Sequence, residues 1–342
     1  MRVVNAGFEI WDNEENVLKK IEKVARVCYK SEHNIKEGSA ERMVKTLIKH
    51  KHYAMLEHGS LIVQLGRSEY THIVRNLEKI RAVAGELPYL RYTPDTYSGR
   101  YIISGNMRAW REYFELCMDL SLSIGAGLYE ILNTDEYNLF KSDVDLKIEI
   151  VNTTCWAYKK LSVKDLTPKE ALVHGDLTGK FIVDRGVSHE IVRHRKASFA
   201  QESTRYCNYK NAGDVVFIRP CFFNGLDLSS IDAYEEDYMR PLTGKAGQFK
   251  HWINNCRQSE KDYLGMIKDG ATPQEARDVL NTSVKTELVM TANLGEWRHF
   301  LKLRAVGTTG APHPQMQEVA IPLLKELKKR DPIVFGDLAV IK

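Results

Sequence analysis

Two helix starts of the same kind punctuate the second half of the chain. Thr167-Pro168-Lys169-Glu170 and Thr272-Pro273-Gln274-Glu275 each put Thr at the N-cap, Pro at the first helical position and Glu at the third. The Thr hydroxyl and the Glu carboxylate answer N–H groups that a helix start leaves unpaired, so each segment opens a helix. Around them strand and helix patterns alternate. KFIVDRG (180–186) and KTELVMTAN (285–293) read as strands, VSHEIVRH (187–194) and GEWRHFLKLR (295–304) as helices. A final helix is expected over 312–330, bent or restarted at Pro322.

The first half is less sharply punctuated. Residues 2–10 read as a strand and 15–30 as an amphipathic helix with Val17, Ile21, Val24 and Cys28 at helical spacing. A helix over about 40–51 runs into KHKHYAMLEHG, and LIVQLG (61–66) suits a strand. Long helices are expected over 107–133 and 234–268. SGNMRAWREYFEL (104–116) and TANLGEWRHFLKL (291–303) share Asn, Trp-Arg, an aromatic and Leu at the same offsets. Two readings stay open: a duplication, or two helices that merely pack Trp and Phe alike. No fixed period runs through the chain, so a repeat architecture is not assigned.

Composition narrows the class. The 342 residues are 43% hydrophobic and 27% charged, which fits a soluble globular protein. Runs such as Val319–Leu324 fall far short of the ~20 residues that a membrane span needs. The start lacks a long apolar run, so no secretory leader is expected and the expected location is cytoplasmic. A net charge of +4 is too balanced to argue for a nucleic-acid coat. The six cysteines include no CxxC pair, which predicts reduced thiols rather than zinc or a disulfide framework.

Chemistry concentrates in RHRKASFAQESTRYCNYK (193–210). Forked guanidinium donors and short hydroxyls in one loop suit an anionic, planar ligand, because Arg both binds phosphate bidentately and stacks on rings. The same loop also reads as a solvated basic surface, or as a nucleic-acid patch with Tyr206 and Tyr209 as stacking platforms. Arg277 and Arg304 sit at helical positions and could add to a cationic pocket, or serve only as partners of a helix dipole. His189 and His194 lie five apart, about 140° round a helix, so they cannot share a metal face and no metal is expected. GxSxG, P-loop and GxGxxG motifs are absent. Cys207 beside Arg205 has no identified base, so a catalytic thiol is not favoured.

RHRKASFAQESTR resembles the signature of the flavin-dependent thymidylate synthases: RHR, then Ser, then Arg, here Arg193, His194, Arg195, Ser203 and Arg205. VARVCYKS (24–31), KHKHYAMLEH (49–58), PQEARDVL (273–280), ANLGEWRHFLKLR (292–304) and HPQMQEVA (313–320) follow in the family's order. The resemblance implies reductive methylation of dUMP to dTMP. Methylenetetrahydrofolate would give the carbon, and FAD reduced by NADPH would give hydride. It implies FAD contacts at His52, Arg193, His194, Arg195, Gln201, Asn293 and His299. It implies dUMP contacts at Glu190, Arg193, Gln201, Ser203, Arg205, Arg277 and Arg304. Arg304 would act catalytically, since a fixed guanidinium favours an ionised uracil ring.

The implied fold is α+β, a central mixed or antiparallel sheet with flanking helices. It would be one domain over 1–342, interrupted by a mostly helical accessory insertion at about 62–178. The implied assembly is a homotetramer with active sites shared between subunits, and neither nucleic acid nor membrane is an expected partner. Glu190 stands where many relatives carry Gln, Gln201 where many carry Glu, Ala200 for a frequent Asn, and Gly295 where an Arg often touches FAD. Two alternatives remain: a basic nucleic-acid-binding module, and a flavoprotein of the same fold with an altered substrate.

Overall fold

The computed structural model describes residues 1–11, 16–94, 100–132, 134, 150–151, 159–211, 213–226 and 243–340. The chain begins with strands β1 (Arg2–Val4) and β2 (Gly7–Trp11), then helices α1 (Val17–Tyr29) and α2 (Ser39–Lys49). Strand β3 (Ser60–Leu65), helix α3 (Arg67–Ala84), strands β4 (Leu90–Pro94) and β5 (Tyr101–Asn106) and helix α4 (Met107–Asp119) follow. Short elements come next: β6 (Ile124–Gly125), α5 (Ala126–Leu132), β7 (Ile150–Val151), β8 (Lys159–Leu161) and α6 (Pro168–His174). Then come β9 (Asp176–Asp184), α7 (Arg185–Ile191), β10 (Ser198–Gln201), β11 (Val216–Ile218), α8 (Gly244–Lys268) and α9 (Pro273–Ala276). The described chain closes with β12 (Lys285–Asn293), α10 (Leu294–Leu301), α11 (Pro314–Arg330) and α12 (Pro332–Phe335).

Two four-stranded antiparallel sheets organise these elements, in the orders β10-β12-β9-β2 and β4-β5-β3-β8. The first sheet buries Phe181, Val183, Leu288 and Met290 against Trp297 and Phe300 of α10 and the apolar face of α11. Its other face carries Ala200 and Val289 against Val24 and Val27 of α1. The second sheet buries Leu61, Val63 and Ile103 among α2, α3 and α4. Val17, Leu18 and Ile21 join that second core, so α1 is wedged between the sheets. The predicted spacing of α1 is what allows this, since Ile21 and Val24 are both fully buried.

Both capping boxes form as expected, at Thr167 with Glu170 and at Thr272 with Glu275. Three expectations need correction. The helix expected over 107–133 ends at Asp119, because Ser121 takes a left-handed φ of 54° and Leu122 N–H turns back to the Cys117 carbonyl. The restart expected at Pro322 does not occur: α11 runs on through it, held by the buried Val319, Leu323, Leu324 and Leu327 across the lost donor. The helix expected over 187–194 stops at Ile191, and turns carry the chain on to His194. The segment 62–178 contains the expected helices but also β3, β4, β5 and β8, the strands of a full second sheet. Of the helix expected over 234–268, residues 244–268 form α8 and 234–242 lie outside the described residues.

Candidate active site

Strand β12 ends at Asn293, whose side-chain oxygen accepts the Glu296 N–H at 2.7 Å and so starts α10. At its far end α10 widens into a π-helical turn over Lys302–Val306, closed by Gly307 at φ 83°. Such turns interrupt the regular helical ladder and often re-aim a side chain at a functional site. Here the side chain is Arg304. Its Nε donates to His194 Nε2 at 3.1 Å, its Nη1 to the Glu190 carboxylate at 3.0 Å, and its Nη2 to the Glu190 carbonyl at 3.2 Å. The carbonyl belongs to the last turn of α7, where the helix presents partial negative charge.

His194 is the second member of this cluster. Its ring lies 4.9 Å from Phe300 and 5.9 Å from His299, edge-on to both. Burial first, then the Arg304 and His299 charges, lower its pKa to about 4. A neutral imidazole next to a fixed guanidinium accepts a hydrogen bond on one nitrogen and offers the other. Arg193 and Arg195 flank it, both exposed, with side chains that make no hydrogen bond or ion pair among the described residues.

The structure therefore gathers Glu190, His194, His299 and Arg304 into one contact cluster, with Arg193 and Arg195 on the loop beside it. Gln201 reaches the same helix, donating to Ser188 Oγ at 2.9 Å and to Thr286 Oγ1 at 3.1 Å. Ser203 Oγ accepts the Arg205 N–H at 3.3 Å, and the exposed Arg205 guanidinium sits 5.4 Å from the Tyr206 ring. Arg277 lies on an exposed 3-10 turn and pairs with its neighbour Asp278 at 3.8 Å, not with the Arg304 cluster. His52 is exposed, its ring 6.1 Å from His50. Both ends of the Asn293 amide are committed, one to the cap and the other to the Val173 carbonyl at 3.3 Å.

Two of the noted departures acquire physical reasons. A Cβ on Gly295 would lie 2.8 Å from the Leu172 carbonyl oxygen, so an arginine there would force the backbone apart. Glu190 is the partner that clamps Arg304, a role that sequence could not show across the long separation between them. Cys207 is no activated thiol: burial pushes its pKa up to about 11. Sequence reasoning also missed the network of Lys30, Lys180, Lys285, Glu202 and Glu287 on the α1 side of the first sheet. Glu287 is held at about 2, with burial opposing and the Lys285 and Lys30 contacts winning. Lys285 and Glu287, two apart on β12, were the available signal, since alternate residues share a face.

Two antiparallel sheets flanked by helices make this an α+β protein, and the first of them carries the Arg304 cluster beside Arg193 and Arg195, two side chains without an ion pair among the described residues. Residues 161–333 match the Thy1 model, thymidylate synthase complementing protein, and the chain belongs to that family. A flavin-dependent thymidylate synthase of Corynebacterium efficiens is 29% identical over 160 residues, 46% of this chain and 59% of its own length. One of Geobacter sulfurreducens is 26% identical over 190 residues, 52% of this chain and 72% of its own length. The matched region thus spans about three-fifths of the first curated relatives. Among solved structures, the UMP/dUMP methylase PolB of Streptomyces cacaoi bound with 5-Br UMP aligns over 96% of this chain and 92% of its own. That alignment has 13% identity and a TM-score of 0.40. Thymidylate synthase X of Helicobacter pylori with FAD and dUMP aligns over 48% of this chain and 72% of its own, with 20% identity and a TM-score of 0.35. Among the described residues no helix is long and apolar enough to cross a membrane.

Proposed function

We propose that the chain is a flavin-dependent thymidylate synthase that methylates dUMP to dTMP. The carbon would come from 5,10-methylenetetrahydrofolate and the reducing equivalents from NADPH through FAD. The carrying observation is the Arg304 guanidinium held by His194 and Glu190 beside the exposed Arg193 and Arg195, which have no ion pair among the described residues. Membership of the family and the names of its curated relatives support the reading.

The residues present fit a flavin dinucleotide. The two exposed guanidinium groups of Arg193 and Arg195 suit a pyrophosphate, and a neutral imidazole between them offers a hydrogen bond to a ring. When bound, FAD supplies hydride transfer. Arg193, His194 and Arg195 would hold it, with His52, Gln201, Asn293 and His299 as further expected contacts. Arg304 would face the pyrimidine of dUMP, and its fixed positive charge would stabilise negative charge on the ring. Glu190, Arg193, Gln201, Ser203, Arg205 and Arg277 are the remaining proposed nucleotide contacts. The proposed active form is a cytoplasmic homotetramer, which sedimentation of the purified protein would check.

The test is the visible spectrum of the purified protein with and without dUMP. A flavin spectrum that shifts on adding dUMP is expected, since both ligands would share one site. A protein that stays colourless after incubation with FAD overturns the proposal.

A further inference from the structure

The two sheets have the same construction. His58-Gly59-Ser60-Leu61 enters β3, and His174-Gly175-Asp176-Leu177 enters β9. Ser60 pairs with Asn106 across β3 and β5, as Asp176 pairs with Asn293 across β9 and β12. Gly59 accepts the Met107 N–H at 2.9 Å, and Gly175 accepts the Leu294 N–H at 2.9 Å. Asn106 caps α4 and Asn293 caps α10, each by accepting the N–H three residues on, and each is followed four residues later by a fully buried Trp, Trp110 or Trp297. The outer strands also correspond, β4 to β10 and β8 to β2, in the same register. Such agreement exceeds what two helices packing a Trp alike would require.

The halves also grip each other reciprocally. His58 Nδ1 is hydrogen-bonded to Thr291 Oγ1 at 2.8 Å, and His174 Nδ1 to Ser104 Oγ at 2.8 Å. Counting back from the capping asparagines, Ser104 and Thr291 are equivalent positions. Each histidine thus reaches across to the other half's third strand. The edge strands are exchanged as well: β2, which precedes His58, completes the sheet of the later half, and β8, which precedes His174, completes the sheet of the earlier half.

Equivalence can then be carried into the site. Arg304 lies eleven residues after Asn293, and Cys117 eleven after Asn106. Ile73-Val74-Arg75-Asn76 on α3 matches Ile191-Val192-Arg193-His194, so Asn76 stands for His194 and His72 for Glu190. The substituted cluster keeps the contact between the helix residue and the one eleven past the capping asparagine, but has no arginine there and, among the described residues, no His72–Cys117 counterpart of the Glu190–Arg304 pair. Asn76 Nδ2 lies 3.9 Å from Cys117 Sγ and 3.2 Å from Tyr113 Oη, and His72 and Asn76 both reach the Ser123 carbonyl. Cys117 and Tyr113 are fully buried.

We infer that the chain is two copies of one strand–helix unit folded around a pseudo-twofold seam, and that the first copy is a silent one. Its counterpart of the arginine clamp has become a buried, hydrogen-bonded cluster with Cys117 in place of the arginine, so each chain carries one nucleotide site. On this account the segment 62–178 is the body of the first copy rather than an accessory insertion. The site count rests on the proposed function, whereas the equivalence of the halves does not.

The test combines calorimetric titration of the full chain with dUMP and thermal denaturation of the same samples. One dUMP per chain is expected, lost in Arg304→Ala and unchanged in Cys117→Ala. Cys117→Ala should lower the melting midpoint by several degrees as a core truncation does, and Arg304→Ala should move it little. Two nucleotides per chain, or binding that survives Arg304→Ala, overturns the inference. If the native chain binds no dUMP, the proposed function fails while the denaturation still decides. A Cys117→Ala protein that melts like the native one overturns the silent copy, and a lowered midpoint upholds it.

Discussion

Arg304 Nε donates to His194 Nε2, and because a guanidinium has no acceptor, that imidazole nitrogen carries no proton. The contact therefore sets the tautomer of His194, leaving its proton on Nδ1. One interaction thus fixes both the direction of the guanidinium and the polarity of the ring beside it.

Replacing Arg304 with Ala should lower turnover by roughly 100-fold or more, the usual loss when a preorganised charge is removed from a reacting centre. Flavin absorbance should persist, because the proposed cofactor contacts lie on Arg193, His194 and Arg195. Steady-state kinetics and the spectrum of the same sample check this. Loss of flavin with unchanged nucleotide affinity would move Arg304 to the cofactor.

At the proposed site the Glu190 carboxylate, though itself a proposed nucleotide contact, already holds Arg304 Nη1 and would compete with an anionic ligand for it. Its carboxylate is only partly shielded, so the effect of neutralising it is moderate. Glu190→Gln should tighten dUMP binding several-fold, to about tenfold, while the backbone carbonyl still holds Nη2. A titration showing weaker binding would mean that the carboxylate serves to orient Arg304 rather than to mask it.

Acid should weaken the fold through its buried histidines. His58 is lowered to about 3 by burial and the Lys20 charge, and His174 to about 4 by burial and Arg91. With His194 also at about 4, the folded state binds fewer protons than the unfolded chain, whose histidines titrate near 6.5. Stability is then full above about pH 6.5 and declines as pH falls toward 4. Denaturant titrations at neutral and mildly acidic pH read this slope, and His58→Gln should flatten it. A stability independent of pH across that window would contradict the buried neutral histidines.

Gly295→Arg should destabilise the chain by about 1–3 kcal/mol, because its Cβ meets the Leu172 carbonyl. Arginine is already present at the matching place in the earlier half, where Arg108 is paired to Glu57 and Glu112 at 2.8 Å. Denaturation of Gly295→Arg at unchanged stability would show that the Leu172 backbone yields.

The legible parts of the chain were those written in short range. The Thr-Pro-x-Glu starts, the α1 stripe of Val17, Ile21 and Val24, and the strand over 285–293 follow from periodicity and capping. The break after Asp119 did not, since Ser121 takes a left-handed turn that usually calls for glycine. The signature loop marked its own residues, yet the Glu190–Arg304 clamp joins residues 114 apart. Of the second sheet only β3 was legible, as LIVQLG, for the same reason: β8 finds β3 across most of the segment that was expected to be helical.

The exchanged edge strands impose an order on the closing of the sheets during synthesis. Translation proceeds from the N-terminus, and β2 leaves the ribosome long before β9, its only neighbour in the sheet. The sheet made of β4, β5, β3 and β8 can close once Leu161 has emerged, but β2 must wait for Asp176–Asp184. Meanwhile its ladder groups are open to any passing strand. The earlier half can thus be assembled first, as a platform on which the half carrying Arg304 is completed last.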